Sequence, residues 1–178
     1  MRYIGEETVK SFTKEELEKL VLDVSKRWLA HDGIWFQCTE RARGMEEAIQ
    51  RDGEAWDGFS KSETRRIMRL YNIPPGGGFE ALKKVLRLRA YSFLNTISIE
   101  EPDENTLIYT MVTCRVQATR ISKGLPAFEC KSVGILEMEG IISVLDPRLK
   151  VRCLVCRPDP GVDDKELNCR WEFTLEKE

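Results

Sequence analysis

Hydrophobic positions repeat at two different spacings along the chain, and the change falls near residue 92. Before it, steps of three and four residues dominate, the spacing that places side chains on one helix face. Leu17, Leu20, Val21, Val24, Trp28, His31, Trp35 and Cys38 form such a series and predict an amphipathic helix from Lys14 to about Thr39. Thr13 and Glu16 supply a capping box at its start, and Phe12 can staple onto Leu17. Residues 1–11 read as a short extended lead. Arg43-Gly44 closes the long helix, and Met45, Ala48, Ile49, Asp52, Trp56 and Phe59 predict a second over about 45–58. Ser60-Lys61-Ser62-Glu63 reads as a fresh capping box ahead of Ile67, Leu70 and Tyr71. The run Asn72-Ile73-Pro74-Pro75-Gly76-Gly77-Gly78 then predicts a loop or hinge, because prolines lack amide donors and glycines resist ordering. Phe79, Leu82, Leu86 and Ala90 line a further helix.

After residue 92 the period falls to two. Phe93, Asn95, Ile97 and Ile99 alternate with their neighbours, Pro102-Asp103-Glu104-Asn105 turns the chain, and Leu107 to Cys114 completes an antiparallel pair. Residues 115–122 fit either a continued strand or a short helix. The long apolar run from Cys130 to Leu145 favours a helix despite Gly134 and Gly140. Leu149 to Val155 reads as a strand, followed by a loop holding Pro158, Asp159, Pro160, Gly161, Asp163 and Asp164. In the last strand Cys169, Trp171, Phe173 and Leu175 share one face. Helices followed by a mainly antiparallel sheet, with helices inserted before its last strands, define an α+β fold. The expected division is an N-terminal helical part (1–75) and an α+β part (76–178) with a cysteine-rich terminal hairpin, integrated as one domain.

At 178 residues with 42% hydrophobic and 33% charged residues, the chain suits one sizeable core. A net charge of −2 leaves no basic footprint for nucleic acid. The charged N-terminus and the lack of a long apolar run give no secretory or membrane signal, so a cytoplasmic protein is expected. In that compartment six cysteines are read as thiols or metal ligands before disulfides.

Cys153-x-x-Cys156, with Cys169 at the start of the returning strand and Cys130 upstream, makes a candidate four-thiolate zinc site. Ordinary buried thiols, or a redox dithiol at Cys153 and Cys156, are the competing readings. His31 is the only histidine. If the first two helices form a hairpin, His31, Trp35 and Asp52 converge at one depth and, with Trp56 near Asp52, line a pocket. Gln117, Arg120 and Arg148 offer polar contacts, the arginines by fork-like pairing with a carboxylate. Cys114 as nucleophile with His31 as base is the one Cys–His pair available across the two halves of the chain.

The segments His31-Asp32-Gly33-Ile34-Trp35-Phe36, Cys114-Arg115-Val116-Gln117, and Cys130-Lys131-Ser132-Val133-Gly134 through Asp146-Pro147-Arg148 to Cys153 and Cys156 resemble a group of prokaryotic cytosolic proteins that form a domain of unknown function. The resemblance covers about residues 12–175. More distantly, the chain is similar to L-2-amino-thiazoline-4-carboxylic acid hydrolase-like proteins. Its terminal Cys-x-Trp-x-Phe strand resembles that of 4-vinyl reductase type small-molecule-binding domains. These resemblances imply an α+β ligand-binding fold, in some cases a homodimer and in some with cysteine-bound zinc. The expected function is small-molecule binding or sensing. The alternatives are hydrolysis of a small C–N-bonded, sulfur-containing compound, and a structural role within a complex.

Overall fold

The computed structural model describes residues 3, 5–162 and 166–176. The N-terminal segment is helical where an extended lead was expected: α1 (Gly5–Ser11) carries Glu6 and Glu7 in its first turn and a Lys10–Glu6 pair one turn apart. The capping box forms as expected. Thr13 Oγ1 accepts from the Glu16 amide, the Glu16 carboxylate accepts from the Thr13 amide at 2.8 Å, and α2 (Lys14–Arg43) follows. Gly44, at φ +91°, turns the chain directly into α3 (Met45–Tyr71).

No break occurs at Ser60, so α3 is one continuous helix rather than two. The Ser60 hydroxyl is fully buried and donates to the Trp56 carbonyl at 2.7 Å, one turn back, instead of capping a new helix. What buries it is α6 (Lys131–Leu145), whose Gly140 lies against it: a Cβ at Gly140 would stand 2.1 Å from Ser60 Oγ. The two glycines that weaken α6 as an isolated helix therefore serve its two faces. Gly140 meets α3, and Gly134 meets Trp171 of the sheet, where a Cβ would come within 2.6 Å of the indole. Gly140→Ala is expected to cost about 1–3 kcal/mol by overpacking. Gly58→Ala, in α3 with open space around it, should gain about 0.5–1 kcal/mol. Urea unfolding of the pair checks both signs.

The remaining elements are α4 (Gly78–Leu88), a short 3-10 turn (Ala90–Phe93), β1 (Ile97–Asp103), β2 (Thr106–Met111), α5 (Arg115–Ser122), β3 (Leu149–Cys156) and β4 (Cys169–Leu175). The ambiguous segment is thus the helix α5. All strand pairs are antiparallel, in the order β1-β2-β4-β3. The fold is α+β, with helices α3, α4 and α6 covering one face of the sheet. Alternation in β4 holds: Trp171 and Phe173 are buried inward while Arg170 and Glu172 face away. One core joins Ile67 and Ile73 from the first part to Leu82, Tyr109, Ile141, Leu145, Trp171 and Phe173.

The Pro-Gly segment is anchored to the C-terminal end of α6. Gly76 donates to the Leu145 carbonyl at 2.9 Å, Gly78 donates to Asp146 Oδ2 at 3.0 Å, and Arg148 donates to the Gly76 carbonyl at 2.8 Å. Arg148 also grips Asp146, holding its carboxyl down at about 2. Asp163 and Asp164 of the last loop lie outside the described residues. No helix among the described residues is long and apolar enough to cross a membrane.

Candidate functional site

A cavity of about 310 Å³ opens between the α2–α3 hairpin, α5, α6 and the inner ends of β2 and β4. Its floor is Trp171, Met111 and Met138, and its walls include Phe36, Trp56, Tyr91, Phe128 and Val133. The aromatic wall is a mutually braced set. Trp56 meets Trp28, Phe59 and Tyr91 edge-on, with ring centroids 6.0, 5.4 and 5.2 Å away.

Three carboxylates reach this apolar space: Asp32 from α2, Asp52 from α3 and Glu137 from α6. Glu137 is satisfied by Arg89, which also binds Glu63 and is itself almost completely buried. Among the described residues, neither Asp32 nor Asp52 has an ion pair. Burial, then the charges of Asp32 and Glu137, push the Asp52 carboxyl up to about 8, with a hydrogen bond from Trp56 acting the other way. Asp32 is raised as well, chiefly by burial.

Among the expected pocket residues, Asp52, Trp56, Gln117 and Arg120 line the cavity. Gln117 and Arg120 are already engaged. The Gln117 amide clamps the Phe128 backbone, donating to its carbonyl at 2.6 Å and accepting from its amide at 3.0 Å. Arg120 makes a two-pronged pair with Glu40 at 2.7 and 2.8 Å and also donates to the Pro126 carbonyl. Both hold the 123–130 segment that walls the site. Arg148 is tied up at the Pro-Gly loop and lies away from the cavity.

His31 and Trp35 face outward, Trp35 being 65% exposed, and the Trp35 indole donates to His31 Nε2 at 3.2 Å. The inward face of α2 carries Ser25, Trp28, Leu29, Asp32 and Phe36, so the expected stripe points inward at Trp28 and is displaced by one residue at His31 and Trp35. Two stripes with the same spacing run down this helix, and the inward one was obscured by its polar members. Cys114, at the N-terminus of α5, faces the cavity without His31, and burial pushes its thiol up to about 11. The expected nucleophile–base pair therefore does not form.

Of the four late cysteines, Cys130, Cys156 and Cys169 line the cavity, and all four lie on the core side of the sheet. In a regular strand Cys153 and Cys156 would point to opposite faces; the ladder irregularity between Cys153 and Val155 brings both inward. Cys130 and Cys156 approach to 3.7 Å between sulfurs, and Cys156 stands opposite Cys169 in the ladder. Contact with Cys156 and burial push the Cys130 thiol up; at Cys156 the contact with Cys130 acts downward, and contact with Cys169 together with burial outweighs it, so that thiol is pushed up as well. Cys169 accepts from the Trp171 indole at 3.2 Å, and Cys153 faces a separate shallow groove beside Ile49, Lys131 and Ile135. Among the described residues, no group of three or more His, Cys, Asp or Glu side chains is arranged to hold a metal ion. Cys156 is thus the hub of the four thiols, interacting with Cys130, Cys169 and Cys153 in turn.

Asp32, Tyr91 and Glu137 were missed as cavity residues by sequence reasoning. Glu137 stands one turn from both Val133 and Ile141 on the core-facing side of α6, and an acid on an apolar face was the available signal.

No curated protein matches the chain. Residues 10–175 match a family described as a family of unknown function, DUF6125. Because that match spans nearly the whole fold, cavity and thiol wall included, the protein belongs to the DUF6125 family.

Proposed function

We propose that the protein binds a small organic molecule in the cavity between the α2–α3 hairpin and the sheet. The observation that supports this is an apolar space of about 310 Å³ inside a folded core, walled by aromatic side chains and holding two carboxylates with no ion pair among the described residues. Close-packed interiors carry few voids larger than a water molecule, whereas ligand pockets are mostly apolar with a few placed polar groups. An uncompensated acid kept inside such a space costs stability, and a bound ligand is the simplest partner for it.

Hydrolysis is the weaker reading. Its nucleophile would be Cys114, whose thiol is held protonated by burial, and its base His31 lies on the outer face of α2.

Binding is checked with benzyl alcohol, a compact neutral aromatic probe, followed by ligand-observed NMR. Saturable binding at one site is expected. Ala30→Trp, at an exposed position on the cavity rim, should weaken it at least about tenfold by blocking entry. Binding unchanged by this substitution would place the probe elsewhere and count against the reading.

A further inference from the structure

The carboxylates alone would not make a site; the space they open onto does. Asp32 and Asp52 lie on the two arms of the α2–α3 hairpin, both line the cavity, and they are close enough for the charge of Asp32 to act on Asp52. The aromatic side chains of Trp56 and Tyr91 border the same space. Cations nearby are spoken for or lie at the edge. Arg89 is bound by Glu63 and Glu137, Arg120 is bound by Glu40, and Lys26, Arg115 and Lys123 are exposed rim residues.

Resting on the cavity reading above, we infer that the ligand is an organic cation: a protonated amine on a compact aromatic or aliphatic body, its ammonium between Asp32 and Asp52 and its body against Trp56 and Tyr91. Three physical effects converge on this class. An ammonium supplies three donors to two carboxylates that lack an ionic partner. Aromatic faces attract cations, more strongly where water is excluded. The cost of holding Asp52 ionised in an apolar space, visible in its strongly raised proton affinity, is offset when a positive charge arrives. A neutral or anionic ligand of the same shape gains none of these. The rim lysines and arginine would favour an anion at the entrance, so the charge of the ligand is the discriminating variable.

The test compares benzylamine, benzyl alcohol and benzoate at neutral pH, with the full chain and with Asp52→Asn and Asp32→Asn. The protonated amine should bind at least about tenfold more tightly than the alcohol, and benzoate more weakly still. Asp52→Asn should lower affinity for the amine by about tenfold while leaving the alcohol within about twofold. Asp32→Asn should act in the same direction. Stronger binding of the alcohol or of benzoate, or amine binding indifferent to both substitutions, overturns the inference and leaves the cavity reading standing. If none of the three probes binds, the cavity reading fails and the inference with it.

Discussion

Asp52→Asn is expected to make the protein more stable at pH 8 by about 2–3 kcal/mol and to leave its stability nearly unchanged near pH 4. Folding raises the carboxyl of Asp52 from its ordinary 3.8 to about 8, through burial first and the neighbouring charges of Asp32 and Glu137 next. Below about pH 4 the group is protonated in both states and carries no penalty. As pH rises toward 8, the unfolded chain gives up this proton while the folded one keeps it, so the folded state loses stability throughout that window. Above it, a charged carboxylate is confined in an apolar cavity. Asparagine removes the titration and the charge while keeping the shape. The magnitude is set below the full value of the shift because the cavity opens to solvent at its rim. Urea unfolding of the wild type and the variant at both pH values reads the difference directly. A variant that is less stable at pH 8, or a gain equal at the two pH values, would show that Asp52 is not held in this environment.

Arg89→Met should be the most damaging single change near the site, costing about 3–5 kcal/mol. The arginine is almost fully buried and joins three elements. It pairs with Glu63 of α3 at 2.8 Å and Glu137 of α6 at 2.5 Å, and its guanidinium lies 5.9 Å from the centre of the Trp56 ring. Glu63 is further held by the Ala90 amide at 3.1 Å, which fixes the 3-10 turn that carries Tyr91 into the cavity. Removing the cation strands two buried carboxylates. Methionine fills much of the volume, so the loss reads charge rather than packing. The triple variant Arg89→Met, Glu63→Gln, Glu137→Gln should recover most of the stability, because no buried charge is then left without a partner. Chemical unfolding of the two variants separates these outcomes; failure of the triple variant to recover would assign the role of Arg89 to shape.

Much of the fold was legible from pattern. The capping box at Thr13, the α6 helix, the β1–β2 hairpin and the alternation of β4 follow from local chemistry, and all appear in the structure. The misreadings have a common cause. Ser60 looks like a cap because serine competes well for free amides, yet here it lies where α6 crosses α3, and tertiary packing keeps the helix intact. On α2, an apolar stripe through His31 and Trp35 is as regular as the true inward stripe, and only the partner helix decides between them. That one-residue shift exchanged His31 for Asp32 and dissolved the anticipated Cys–His pair. Asp52 and Trp56 were legible because their positions in α3 fall on the inner face under either division of the helix. The thiols were legible as neighbours, but which sulfur meets which depends on the ladder irregularity after Cys153, which turns Cys156 to the same side.

The most direct measurement is a crystal structure of the full chain soaked with benzylamine. Density for the aromatic ring beside Trp56 and Tyr91, with its nitrogen between Asp32 and Asp52, is the predicted result. A space already filled by repacked side chains, or the amine found only on the outer surface, would contradict the reading of this cavity as the place where the protein does its work.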